Sequence, residues 1–110
     1  MLVRLKKMSD KIDKVLNPLI KLKEIFLEFF KDEDVKVVLF GSRARGEFVN
    51  TSDVDVGLII GDCVDRRKLV LLREHIEEMN IPYKVEIVDF STVSEEFKKM
   101  ALKEAVVWKG

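Results

Sequence analysis

Leu39-Phe40-Gly41-Ser42-Arg43-Ala44-Arg45-Gly46-Glu47-Phe48-Val49-Asn50-Thr51-Ser52-Asp53-Val54-Asp55-Val56-Gly57-Leu58-Ile59-Ile60 is the stretch on which the reading of this chain turns. An apolar run from Val35 to Phe40 ends in a glycine–serine turn and a short basic segment, and a second apolar run begins beside two aspartates. On an extended strand, residues i and i+2 share a face, so Asp53 and Asp55 present their carboxylates side by side. Like charges that close repel unless a cation lies between them. Hard carboxylate oxygens suit Mg²⁺, which takes phosphate readily as a further ligand. Gly41 lets the backbone approach a phosphate, and the N–H groups of a helix starting there receive negative charge. The residues themselves therefore argue for a metal–nucleotide site.

Working outward, residues 2–16 have helical periodicity, with Leu5, Met8, Ile12, Val15 and Leu16 on one side. Asn17-Pro18 is a cap followed by a proline suited to the first helical position, so a second helix is expected to run to about Phe30. A single helix kinked at Pro18 is the alternative. Strands are expected over Val35–Phe40, Asp53–Ile60 and Tyr83–Asp89, with a helix over 64–79 capped by Asp62 or Asp65. Thr92-Val93-Ser94-Glu95 reads as a capping box for a last helix over 92–107. The short first connection suits antiparallel neighbours, and the long second one permits a parallel crossover. The expected fold is α/β: a small three-stranded mixed sheet with helices mainly on one face. It forms one domain, with N-terminal helices over 1–33, a core over 35–90 and a C-terminal helix over 92–107.

The run from Leu39 to Ile60 resembles the signature of the polymerase-β-type nucleotidyltransferases, above all their minimal members. What the resemblance implies is transfer of a nucleoside monophosphate from a triphosphate, with ATP as substrate and two Mg²⁺ ions bridged by Asp53 and Asp55. It places Gly41 and Ser42 on the β- and γ-phosphates. Arg43 and Arg45 lie two apart on a helical turn and cannot share a face. One is expected on phosphate, and the other on an acid or the acceptor. Larger relatives append a domain that binds the acceptor. Minimal ones typically pair with HEPN-domain toxins, some by placing AMP on a toxin tyrosine. The implied function is an antitoxin-type protein adenylyltransferase. The alternatives are an antitoxin acting by binding alone, or a subunit modifying a small molecule such as an aminoglycoside.

The family's chemistry uses a third acid from the next strand, and the sequence offers Glu86 and Asp89. Val54, Val56, Leu58 and Ile60 alternate on the apolar face, which leaves Asp53 and Asp55 opposite. Val85 and Ile87 alternate likewise, so Glu86 falls on the carboxylate side, and Asp89 has core parity and a strand-end position suited to capping. Glu86 is thus the expected third ligand and proton acceptor. The resembling family usually carries aspartate there. The extra methylene moves the metal away from the strand and puts the rate, up to its complete loss, in question.

Gly57 either opens the sheet beside the metals or marks a strand kink. His75 has no metal-ligand partner at useful spacing. Trp108 is expected to pack in the tail, and Arg66-Arg67-Lys68 to be a solvated helix start or an acceptor-phosphate contact. Lys plus Arg and Asp plus Glu both number 20 among 110 residues, so the zero net charge argues against a long nucleic acid, which needs a basic surface. The lysines of the first 23 residues form a solvated face or a dock for an acidic partner. A single cysteine, Cys63, excludes an internal disulfide and suits a cytoplasmic protein. No apolar run approaches membrane-spanning length, and no targeting peptide is expected. Homo-oligomerisation stays open.

Overall fold

A computed structural model describes residues 18–46 and 53–110. The expected helix over 2–16, the Asn17 cap and the loop at 47–52 lie outside them. Helix α1 (Pro18–Phe29) is followed by strand β1 (Val35–Phe40), the one-turn helix α2 (Ser42–Arg45) and strand β2 (Val54–Ile60). Helix α3 (Arg67–Glu78), strand β3 (Val85–Asp89), a 3₁₀ turn (Phe90–Thr92), helix α4 (Glu95–Lys103) and strand β4 (Val106–Lys109) complete the order.

The strands form one sheet in the order β3-β2-β1-β4. β1 runs antiparallel to β2 and β4, and β2 runs parallel to β3 across the α3 crossover. Both expected pairings therefore hold, but among the described residues the sheet has four strands, not three. The segment expected to finish the last helix leaves it after Lys103, and Val106–Lys109 joins the edge of β1 instead. Lys109 fastens this strand, because its ammonium donates to the carbonyls of Glu33 (2.8 Å) and Val35 (2.9 Å). Trp108 packs at 5.9 Å from the Phe26 ring.

Alternation along the strands sorts the sheet into two faces. Val35, Val37 and Leu39 of β1 and Val54, Val56 and Leu58 of β2 form the main core with α1 and α3. α1 contributes Leu22 and Phe26, Phe30 follows at the same four-residue spacing just past its end, all three fully buried, and α3 contributes Leu69, Leu72 and Ile76. Val38 and Phe40 point the other way, into a smaller cluster with Phe90, Ala101 and Leu102, so α4 covers part of the opposite face.

Local chemistry sets the element ends. Ser94, not Thr92, caps α4 by accepting from the Phe97 N–H at 3.1 Å. Thr92 is diverted because its hydroxyl donates to the Asp89 carbonyl at 2.8 Å within the 3₁₀ turn. Before α3, the Asp65 carboxylate accepts from the Arg67 N–H at 2.9 Å. The three cations at this helix start each meet an acid: Arg66 pairs with Asp89, Arg67 with Asp65 and Lys68 with Glu33.

Neither expectation for Gly57 describes its role. A Cβ there would lie 2.3 Å from Cζ of Phe90, so the glycine is the floor on which that ring sits. Phe90 is 3% exposed and also meets the Phe40 ring, at 5.5 Å. Gly57→Ala should cost about 1–3 kcal/mol through this overlap, read as a fall in thermal midpoint of several °C. Combination with Phe90→Leu should cost less than the two single changes added together.

Candidate active site

The site is built where the end of β1 meets the starts of β2 and β3. Phe40 is in register with Asp55, and Asp55 with Glu86, so the three residues form one row across adjacent strands. Asp55 and Glu86 consequently share the sheet face opposite the main core, and Asp53 has the same parity two residues earlier. Asp55 is half-buried, whereas Asp53 and Glu86 are exposed.

Gly41 follows Phe40 and starts α2. Its φ of 77° lies in the region that disfavours a side chain, and a Cβ would stand 2.4 Å from Oδ2 of Asp55. Two independent constraints thus require glycine at this position. The contact also puts the glycine–serine turn directly against the aspartate. Its carbonyl accepts from the N–H groups of Ala44 (3.1 Å) and Arg45 (3.2 Å), and Gly46 closes the turn in a left-handed conformation. Ser42 is half-buried at the first helical position.

The two arginines of α2 leave in different directions. The Arg43 guanidinium carbon sits 4.4 Å from the centroid of the Tyr83 ring, a cation–π geometry. Arg45 approaches Glu104 at the end of α4 at 3.7 Å, a pair that solvent weakens. Sequence spacing gave no signal for Tyr83 or Glu104, since each meets its arginine only through the tertiary fold. Burial raises the pKa of the Tyr83 hydroxyl, and Arg43 partly offsets this. Among the described residues that hydroxyl has no hydrogen-bond partner. A cleft of about 210 Å³ adjoins Gly41, with Phe40, Phe97 and Met100 in its wall.

The electrostatics centre on Asp55. Burial raises its pKa, the charges of Glu86 and then Asp53 raise it further, and Arg45 lowers it. Asp89 is elsewhere, opposite Leu58 in the register and on the core side. It is 9% exposed, accepts from the backbone N–H (2.9 Å) and hydroxyl (2.8 Å) of Ser91, and pairs with Arg66. Its oxygens hold the end of β3 and the 3₁₀ turn.

In kind, the donors fit a divalent cation: adjacent hard carboxylates, one desolvated and repelled by the others, are the arrangement that Mg²⁺ relieves. Glu86, however, leans towards Lys84, at 3.6 Å. Among the described residues no three His, Cys, Asp or Glu side chains close on one point as a metal cage. His75 is exposed on α3 and Cys63 is free and exposed, both away from this row.

Residues 20–109 match the family described as polymerase beta, nucleotidyltransferase. The chain belongs to that family. It is 34% identical over 74 residues to the probable protein adenylyltransferase MntA of Haemophilus influenzae, covering 67% of this chain and 65% of that protein. It thus spans just under two thirds of this curated relative's length. A solved structure provisionally assigned as a minimal nucleotidyltransferase superposes with a TM-score of 0.67 at 25% identity, over 83% of this chain and 93% of the other. A toxin–antitoxin structure with AMP-PNP shares the fold, with a TM-score of 0.62 at 19% identity over 80% and 73% of the two chains. Among the described residues no helix is long and apolar enough to cross a membrane.

Because the folded pKa of Asp55 is raised, its ionised form destabilises the fold, fully above that pKa and less as pH falls towards the ordinary 3.8. Asp55→Asn should therefore raise the thermal midpoint at pH 7, by on the order of 1–3 °C in this partly solvated setting. The gain should shrink on acidification through that window, as followed by circular dichroism.

Proposed function

We propose that this nucleotidyltransferase is Mg²⁺-dependent and moves AMP from ATP to a hydroxyl on a partner protein, a toxin of the HEPN type, in the cytoplasm. The observation that carries the reading is the contact of Gly41 with Asp55, which joins a phosphate-suited turn to cation-suited acids. The description of the H. influenzae relative as a probable protein adenylyltransferase supports a protein acceptor. The toxin–antitoxin assignment of a fold neighbour crystallised with AMP-PNP supports a toxin partner and an adenine nucleotide.

In this reading Asp53, Asp55 and Glu86 would hold the metal ions, whose charge would neutralise the triphosphate and the departing pyrophosphate. Gly41 and Ser42 line the β- and γ-phosphates. Arg45 adds positive charge beside Asp55, and Arg43, braced on Tyr83, borders the same turn. The acceptor oxygen bonds to the α-phosphorus and the bond to the α–β bridging oxygen breaks. Pyrophosphate leaves with that electron pair, and the hydroxyl proton passes to Glu86. Positioning and charge neutralisation supply most of the acceleration.

The lean of Glu86 towards Lys84 favours a second reading, in which the domain neutralises its partner by contact alone. Co-expression with the adjacent gene product, followed by intact mass of both chains, separates the two. Added AMP on the partner supports transfer, whereas a stable unmodified complex supports the second reading. For the transferase, Asp53→Asn combined with Asp55→Asn should abolish transfer in a folded protein. Glu86→Ala should lower the rate on the order of a hundredfold or more. Asp89→Ala should weaken the fold but keep most of the rate when assayed well below its melting temperature. The reverse order of Glu86 and Asp89 would exclude the assigned third ligand.

A further inference from the structure

β3 is the outermost strand on its side of the sheet. The Val54 N–H donates to the Lys84 carbonyl at 2.8 Å. Along a strand in a parallel ladder, successive residues turn their N–H and C=O groups to opposite neighbours. Lys84, Glu86 and Val88 therefore address β2, and Val85 and Ile87 address the outside. The Ile87 carbonyl has that direction, since it accepts from the Arg73 guanidinium at 3.1 Å. Among the described residues no strand pairs with this edge. Beside it lies a cavity of about 420 Å³ bordered by Arg73, Ile76, Ile81, Tyr83, Val85 and Ile87.

We propose that this edge receives an extended segment of the acceptor protein as an added antiparallel strand, with its hydroxyl residue opposite Glu86; this rests on the transferase reading above. Residues opposite one another on paired strands share a face, with Cβ atoms about 4.5–5.5 Å apart. The added hydroxyl residue thus extends the row Phe40–Asp55–Glu86 by one position. It reaches Glu86 directly, and Asp55 lies one strand spacing, about 4.8 Å, further on. In an antiparallel pairing Val85 and Ile87 take the hydrogen-bonded positions, so the pair at Glu86 is the closer, non-hydrogen-bonded kind.

The residues flanking the hydroxyl then face the other side, over Val85, Ile87 and the cavity floor. The recognised chemistry is apolar–hydroxyl–apolar in an extended chain. Backbone bonds give affinity and alternate side chains give selectivity. The contact that must yield is Arg73 on the Ile87 carbonyl, and Arg73 is solvent-exposed. The opposite edge, β4, cannot do this, because β1 separates it from the acids.

The test uses the full chain with Mg²⁺, ATP and nine-residue peptides centred on Val-Tyr-Val, with AMP addition read by mass. A matched peptide N-methylated at both valines cannot donate to the edge and should be labelled at least tenfold more slowly. Hydrogen exchange at the Val85 and Ile87 amides should slow when the unmethylated peptide is added, while that of Glu86, already bonded to β2, stays unchanged. Equal labelling of the methylated peptide, or unchanged exchange at Val85 and Ile87, overturns the proposal. If Mg²⁺-dependent ATP binding and all labelling are absent together, the transferase reading itself has failed. If ATP binds and a folded protein acceptor is labelled without protection at the two amides, only the edge has.

Discussion

The cross-strand register at Asp55 is the constraint on which the rest of the molecule depends. It fixes Phe40 on one side and Glu86 on the other. A slip of one residue in either ladder would move the acids into the core and the valines into solvent. The register is held by burial, because Val54, Val56 and Leu58 are fully enclosed on the opposite face by α1 and α3. Apolar packing on one side of the sheet thus positions charge on the other. Through Phe40 the same register delivers Gly41 against Asp55 and so sets the glycine–serine turn relative to the acids.

This placement opposes stability locally. Burial and two neighbouring carboxylates all disfavour the ionised form of Asp55, and Arg45 acts the other way. Such an arrangement has a physical rationale where a cation or a ligand's charge completes it. Asp89 is the contrast. It is more buried, yet Arg66 and the Ser91 donors satisfy it, and it serves the strand end. Glu86, three residues before Asp89, lies on the opposite sheet face beside Asp55, as strand parity indicates.

Much of this was legible in the chain. β1 has the bounds its apolar run indicates, and the alternation of Val54, Val56 and Leu58 against Asp55 gives the sheet faces directly. Glu86 is separable from Asp89 by the same period of two. β4 was not legible, because no glycine or proline stands between Lys103 and Val106 to break the helical pattern. Its four residues form a strand only because the edge of β1 is there to pair with them. The roles of Gly57 and Tyr83 were hidden for a related reason. Each depends on a residue 33 or more positions away, Phe90 or Arg43, that only the assembled sheet brings near. The α4 cap shows competition between equivalent local signals, with Thr92 drawn into the Asp89 turn and Ser94 left to cap.

In the proposed function Asp55 unites the turn and the acids into one metal-dependent nucleotide site. Calorimetric titration of ATP into the chain, with Mg²⁺ present and then with a chelator, tests it most directly when run on the unaltered protein, Asp55→Asn and Asp89→Asn. Binding should need the metal, be lost in Asp55→Asn and persist in Asp89→Asn. Equal affinity with and without metal, or undiminished metal-dependent binding by Asp55→Asn, would contradict it.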